Sequence, residues 1–204
     1  MHKEILNDSQ LELLPLIKEY KREFYLVGGT AIALYLGHRR SIDFDLFKST
    51  KFNAKKILSK MEKYKLHYRI NRNVAEQLNL IINGVKFTFF EYPFQIPHSN
   101  TFENTINLPN LLDLAAMKAY ALGRRSKWKD YVDLYFIIKY HYNITQIAQR
   151  ASEIYDQLFS EKLFVAQLSY FHDIDYTEEV EFLVEPVSDD EIKDFLLNAA
   201  IDII

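Results

Sequence analysis

The chain has no cysteine among its 204 residues. That absence removes disulfide frameworks, thiolate nucleophiles and sulfur-ligated zinc together, so any metal must sit on oxygen or imidazole, which favours magnesium. No segment approaches the roughly 18 uncharged apolar residues that a membrane span needs. The opening stretch MHKEILNDSQ carries acidic residues and no apolar signal core, so the expectation is a cytoplasmic protein with no membrane partner. Disorder and low complexity are excluded, because 49% of residues are hydrophobic and 15% aromatic. A net charge of −3 argues against a surface that is basic throughout, and leaves room for local patches such as GRRSKWKD at 123–130.

With only five glycines present, the pair inside FYLVGGTAIALYLGHRRSIDFDLF, residues 24–47, stands out. FYLV reads as a short apolar strand ending at Gly28 and Gly29, and TAIALYL as a buried helix, since it is apolar on all sides. SIDFDLF alternates with period two, which sets Asp43 and Asp45 on one strand face and Ile42, Phe44 and Leu46 on the other. Upstream, residues 8–22 look helical with a break at Pro15. Downstream come a basic amphipathic helix over 52–65 and strands over 67–72, 77–82 and 85–92, the last two joined by the hairpin signal Asn83-Gly84. The polar stretch 93–109 reads as a boundary, and the pattern beyond it predicts helices over 110–123, 127–141, 144–158, 160–172 and 188–203. An acidic segment of weak pattern, DIDYTEEVEFLVEPVSDDE, precedes the last. The fold class is therefore α+β (mixed α/β): a mixed sheet flanked by helices over 1–95, then a helical bundle over 96–204.

Several residues sit where packing alone would not place them. Gly28-Gly29-Thr30 lies at a strand-to-helix junction, where glycine lets backbone amides approach a ligand and the helix N-terminus suits phosphate. The plain alternative is a tight turn with Thr30 as N-cap. Carboxylates at i and i+2 on one strand face repel unless a cation bridges them, and aspartate is a poor strand former. A hard cation carrying nucleotide phosphates explains both features, against the alternative of a solvent-facing edge strand. Lys118 falls within an apolar helical stripe and must face anions, either protein carboxylates or a bound phosphate. Asp130 and Asp133, three apart, extend a core-facing stripe on the next helix. A Lys118–Asp130 salt bridge across the hairpin is the alternative to a shared active site.

Together these residues resemble the AbiEii toxin nucleotidyltransferase family of the polymerase-beta-like nucleotidyltransferase superfamily. The likeness lies in GGTAIALYLGHRRSIDFD (28–45) and LLDLAAMKAYALGRRSKWKDYVDL (111–134), with GVKFTFFEYPF similar to the family's third strand. It implies transfer of a nucleoside monophosphate from a nucleoside triphosphate to an acceptor such as tRNA or a protein, with a cognate antitoxin as partner. Gly28, Gly29 and Thr30 would hold the triphosphate, with Arg39 and Ser41 supporting the aspartate strand or the substrate. Asp43 and Asp45 would bind Mg2+ (or Mn2+), Lys118 would contact phosphate, and Asp130 would be the catalytic or structural acid, with Asp133 its neighbour. Arg125 belongs to a basic group suited to an RNA acceptor. Many superfamily members carry a third carboxylate beside Asp-x-Asp; here Thr88 stands in that strand's middle and Glu91 near its end, so Asp130, ahead of Glu91, would substitute, or the site would work with fewer carboxylates. A nucleotide-binding module without turnover is the alternative function, and the lone histidines, His38 among them, do not support a metal-dependent hydrolase.

Overall fold

A computed structural model describes residues 1–202. Two short helices open the chain, α1 (Asp8–Glu12) and α2 (Leu14–Lys18). Pro15 sits in the first turn of α2, where its missing N–H is not needed, so the break falls at Leu13. Then follow β1 (Tyr25–Val27), α3 (Gly28–Leu36), β2 (Phe44–Lys48) and α4 (Ala54–Lys63). The meander is β3 (Tyr68–Val74), β4 (Gln77–Ile82) and β5 (Val85–Glu91), and the positive φ of both Asn83 and Gly84 matches the tight hairpin expected there.

Residues 93–109 depart from the expected linker. They contain β6 (Asn100–Phe102) and β7 (Ile106–Leu108), and β7 pairs in parallel with β1. The seven-stranded sheet runs β3-β4-β5-β2-β1-β7-β6, so a sheet begun in the first 95 residues is completed beyond them. Three-residue strands are too short to show a period, yet each buries its apolar residues, Phe102, Ile106 and Leu108.

The helical part comprises α5 (Leu111–Leu122), α6 (Trp128–Tyr140), α7 (Ile144–Tyr155), α8 (Glu161–Leu168) and α9 (Asp189–Ile201). The expected last residue of the final helix, 203, lies outside the described residues. No described helix is long and apolar enough to cross a membrane. Strand alternation divides the sheet: Phe44, Leu46, Leu80, Phe87 and Phe89 enter the core, where Tyr20 packs edge-on against Phe89 at 5.0 Å. The opposite face, beneath α5 and the start of α6, holds Asp43, Asp45, Lys86, Thr88 and Asn79.

Candidate active site

That face floors a cavity of about 890 Å3. Gly28 follows β1 directly and opens α3 with φ +73°, and a Cβ there would lie 2.3 Å from Asp45 Oδ2. Only glycine combines this backbone with that approach. At Gly29 a Cβ would lie 2.6 Å from Arg39 Nη2. Val27 is the N-cap of α3 and gives no side-chain cap bond, which leaves first-turn amides beside the aspartates. Thr30 departs from its expected role. It is neither cap nor cavity wall but buried, with its hydroxyl hydrogen-bonded to Ser41 Oγ (2.9 Å) and to the Asp43 carbonyl. Thr30 therefore pins the chain that enters β2, while Ser41 reaches the cavity.

Asp43 and Asp45 both line the cavity, on one face as their spacing predicts. Lys86 Nζ lies 3.6 Å from Asp43, and Asp45 has no ion pair among the described residues. Burial first, and then the charge of Asp43, push the Asp45 carboxyl above its usual range, with Thr88 opposing. Thr88 is paired with Asp45 in register, so it occupies the place of the third carboxylate. Glu91 is turned away from the cavity: it shares parity with the core-facing Phe87 and Phe89 and does not line it. Among the described residues, no three His, Asp or Glu side chains are grouped to hold a metal. Asp43 and Asp45, the latter lacking a cation partner among the described residues, would suit a divalent ion.

The helical wall is neutralised within itself. Lys118 Nζ lies 2.7 Å from Asp130 Oδ1 and 2.9 Å from Asp133 Oδ2, so the interhelical salt bridge forms inside the site. Asp130 also receives Arg125 Nε at 3.0 Å. Asp133, 0% exposed, receives a fork from Arg39 (Nε 2.7 Å, Nη2 2.9 Å) and His38 Nε2 at 2.8 Å. Burial alone would raise Asp133, but Arg39 and Lys118 hold it well below the carboxylate range; Lys118 and Arg125 do the same, less strongly, for Asp130. Burial pushes His38 down, and its Nδ1 is buried without a partner. Arg39, 2% exposed, forks onto Asp133 and ties the β2 loop to α6, and it also forms part of the cavity lining. Asp133 lies behind the cavity wall, whereas Asp130, Lys118 and Arg125 form part of it.

Three features were not anticipated. His38, read as isolated, belongs to the Asp133 cluster through a partner 95 residues away. The apolar end of the cavity is built from Phe47, Phe90, Tyr92, Met117 and Tyr120. The acidic segment 173–187 forms a strap: Trp128 N–H donates to the Asp175 carbonyl (3.1 Å), and Arg40 N–H to that of Glu181 (2.8 Å). Between these ties Glu178 and Glu179 line the cavity, and Glu178 pairs with Lys127 and with Lys129 (3.6 Å).

The family described as nucleotidyl transferase AbiEii toxin, type IV toxin–antitoxin system, matches residues 16–201. An uncharacterized protein of Aquifex aeolicus is 30% identical over 182 residues, covering 85% of this chain and 84% of that one. In fold, the chain is similar to a Helicobacter pylori protein described as a nucleotidyltransferase (TM-score 0.61, 18% identity, 99% of this chain and 92% of that chain). It is also similar to the nucleotidyltransferase toxin MenT4 of Mycobacterium tuberculosis (TM-score 0.63, 15% identity, 94% and 80%). The sequence match spans both walls of the cavity, and on it the chain belongs to the AbiEii family of nucleotidyltransferase toxins.

Proposed function

We propose that this nucleotidyltransferase moves a nucleoside monophosphate from a nucleoside triphosphate to a hydroxyl of an RNA acceptor such as tRNA, with Mg2+ or Mn2+ held by Asp43 and Asp45. The observation that carries this reading is the convergence of the Gly28–Gly29 turn and an under-neutralised carboxylate pair in one cavity, opposite a wall that contains Lys118 and Arg125. Amides of the first turn of α3 hold phosphate, and Lys118 and Arg125, positioned by Asp130, face it across the cavity. The apolar end suits the nucleoside, since Phe47 and Tyr92 offer ring faces. A bound divalent ion supplies charge neutralisation on the phosphates. The acceptor oxygen bonds to the α-phosphorus as the bond to the β-phosphate bridging oxygen breaks and pyrophosphate leaves. Asp130 is a poor base, because both its oxygens are held by cations, so the hydroxyl proton passes to water. A protein antitoxin is the expected regulator of such a toxin.

Incubation with each of the four triphosphates and Mg2+, followed by mass measurement of total tRNA and of the protein itself, tests the reading. An added nucleotide mass on tRNA, absent for Asp43→Ala, is expected. Transfer that survives Asp43→Ala overturns the metal assignment, and nucleotide added to protein alone overturns the RNA acceptor.

A further inference from the structure

Positive charge is segregated along this chain. Residues 51–73 hold eight Lys and Arg against one Glu, whereas the whole chain has 25 against 28. Within the segment, Lys60 and Lys63 lie beside Glu23 and Glu19. Arg69 and Arg72 on β3 are exposed and have no carboxylate partner among the described residues. Arg39, Arg125 and Arg150 differ, each holding a buried aspartate.

The register of β3 decides where those two arginines point. On β4, Leu78, Leu80 and Ile82 enter the core, and the alternate residues Gln77 and Asn79 line the cavity. Strict alternation along β3 would put only one of Arg69 and Arg72 on the cavity side. A bulge between Ile70 and Arg72 inserts Asn71, so Arg69 stands opposite Ile81 and Arg72 opposite Asn79. One extra residue thus turns both guanidinium groups to the cavity side, a recognised use of bulges. Asp45, Thr88, Asn79 and Arg72 then form one row across β2, β5, β4 and β3, with Lys86, Ile81 and Arg69 in the next. Strands lie about 4.8 Å apart, which sets Arg72 about 14 Å from Asp45 along the row. β3 is the outermost strand of the sheet.

We propose that this edge carries the sugar–phosphate strand of the RNA acceptor out of the cavity, with its phosphates on Lys86, Arg72 and Arg69. The inference rests on the nucleotidyltransferase reading with an RNA acceptor, and adds the path that acceptor takes. Two arginines without carboxylate partners, in rows that lead away from the reacting centre through Lys86, suit a strand with one charge per nucleotide. A protein strand added to the β3 edge would instead bind through backbone groups and the exposed Ile70 and Val74.

The test is fluorescence anisotropy of labelled total tRNA across a salt series, comparing the intact protein with Arg69→Glu/Arg72→Glu and Arg69→Lys/Arg72→Lys. Both side chains are exposed, so folding is retained, and calorimetry with Mg2+ and triphosphate verifies the nucleotide site. The reversal variant should bind at least tenfold more weakly, and its log K against log salt slope should shrink by about 2. The lysine variant should keep most of the affinity, and triphosphate binding should not change. Equal RNA affinity and slope in the reversal variant overturn the path even if transfer to tRNA is seen. Arginine-dependent RNA binding with no pyrophosphate release would sink the activity and leave the path standing. Loss of an acidic protein partner, with no RNA bound by the intact protein, would overturn the path in favour of a protein-docking edge.

Discussion

Asp43 and Asp45, at the start of β2, and Asp130 and Asp133, on α6, are two pairs of aspartates with opposite surroundings. The β2 pair has one lysine at 3.6 Å, and burial raises the Asp45 carboxyl. The α6 pair is gripped by Lys118, Arg125, Arg39 and His38, and both its carboxyls are lowered. Charge left without a partner at a cavity is the charge a ligand completes, whereas charge matched in the interior holds the walls together.

The contrast breaks if the two pairs respond alike to mutation. Asp133→Ala should have the largest effect on stability, about 3–5 kcal/mol by urea unfolding, since it leaves Arg39 buried without its anion. Asp43→Ala should leave stability within about 0.5 kcal/mol while lowering turnover roughly a thousandfold, the scale of lost metal neutralisation. Gly28→Ala should cost about 1–2 kcal/mol for its left-handed backbone and weaken triphosphate binding further, because Asp45 must move.

Acid sharpens the same contrast. The folded carboxyls of Asp130 and Asp133 lie below the ordinary value of about 3.9, so their contribution is complete above that pH and is lost as pH falls through their folded values. His38 is also lowered: below about pH 6.5 the unfolded chain takes up a proton that the folded one refuses, and stability falls by at most about 1.4 kcal/mol per pH unit. His38→Gln should flatten that arm of the stability curve. The smallest effect is expected of Glu91→Gln, whose turnover should equal that of the unaltered chain; a large loss would return Glu91 to the site.

Much of the β2 half was legible because its signals are local. Two glycines, a period-two aspartate pair and Asn83-Gly84 each fix geometry within a few residues, and the α6 face followed from helical spacing. The role of Thr30 was not, since the partners of its hydroxyl are set by how the β2 loop folds back. Nor was the engagement of His38 and Arg39 by Asp133, which depends on packing across 94 to 95 residues. β6 and β7 escaped because a three-residue strand shows no period, and the strap because bridges to distant backbone, rather than a pattern of its own, hold it.

The parallel pairing of β7 with β1 and the strap have a consequence for biosynthesis. A nascent chain that has emerged as far as residue 95 already contains Gly28, Asp43 and Asp45, but it lacks β7 beside β1, the aspartate that fixes Arg39 and the strap that adds Glu178 and Glu179 to the cavity lining. The reacting parts are made early and the parts that assemble them late. The last of these ties to be made is at residue 183, where Leu183 N–H donates to the His38 carbonyl.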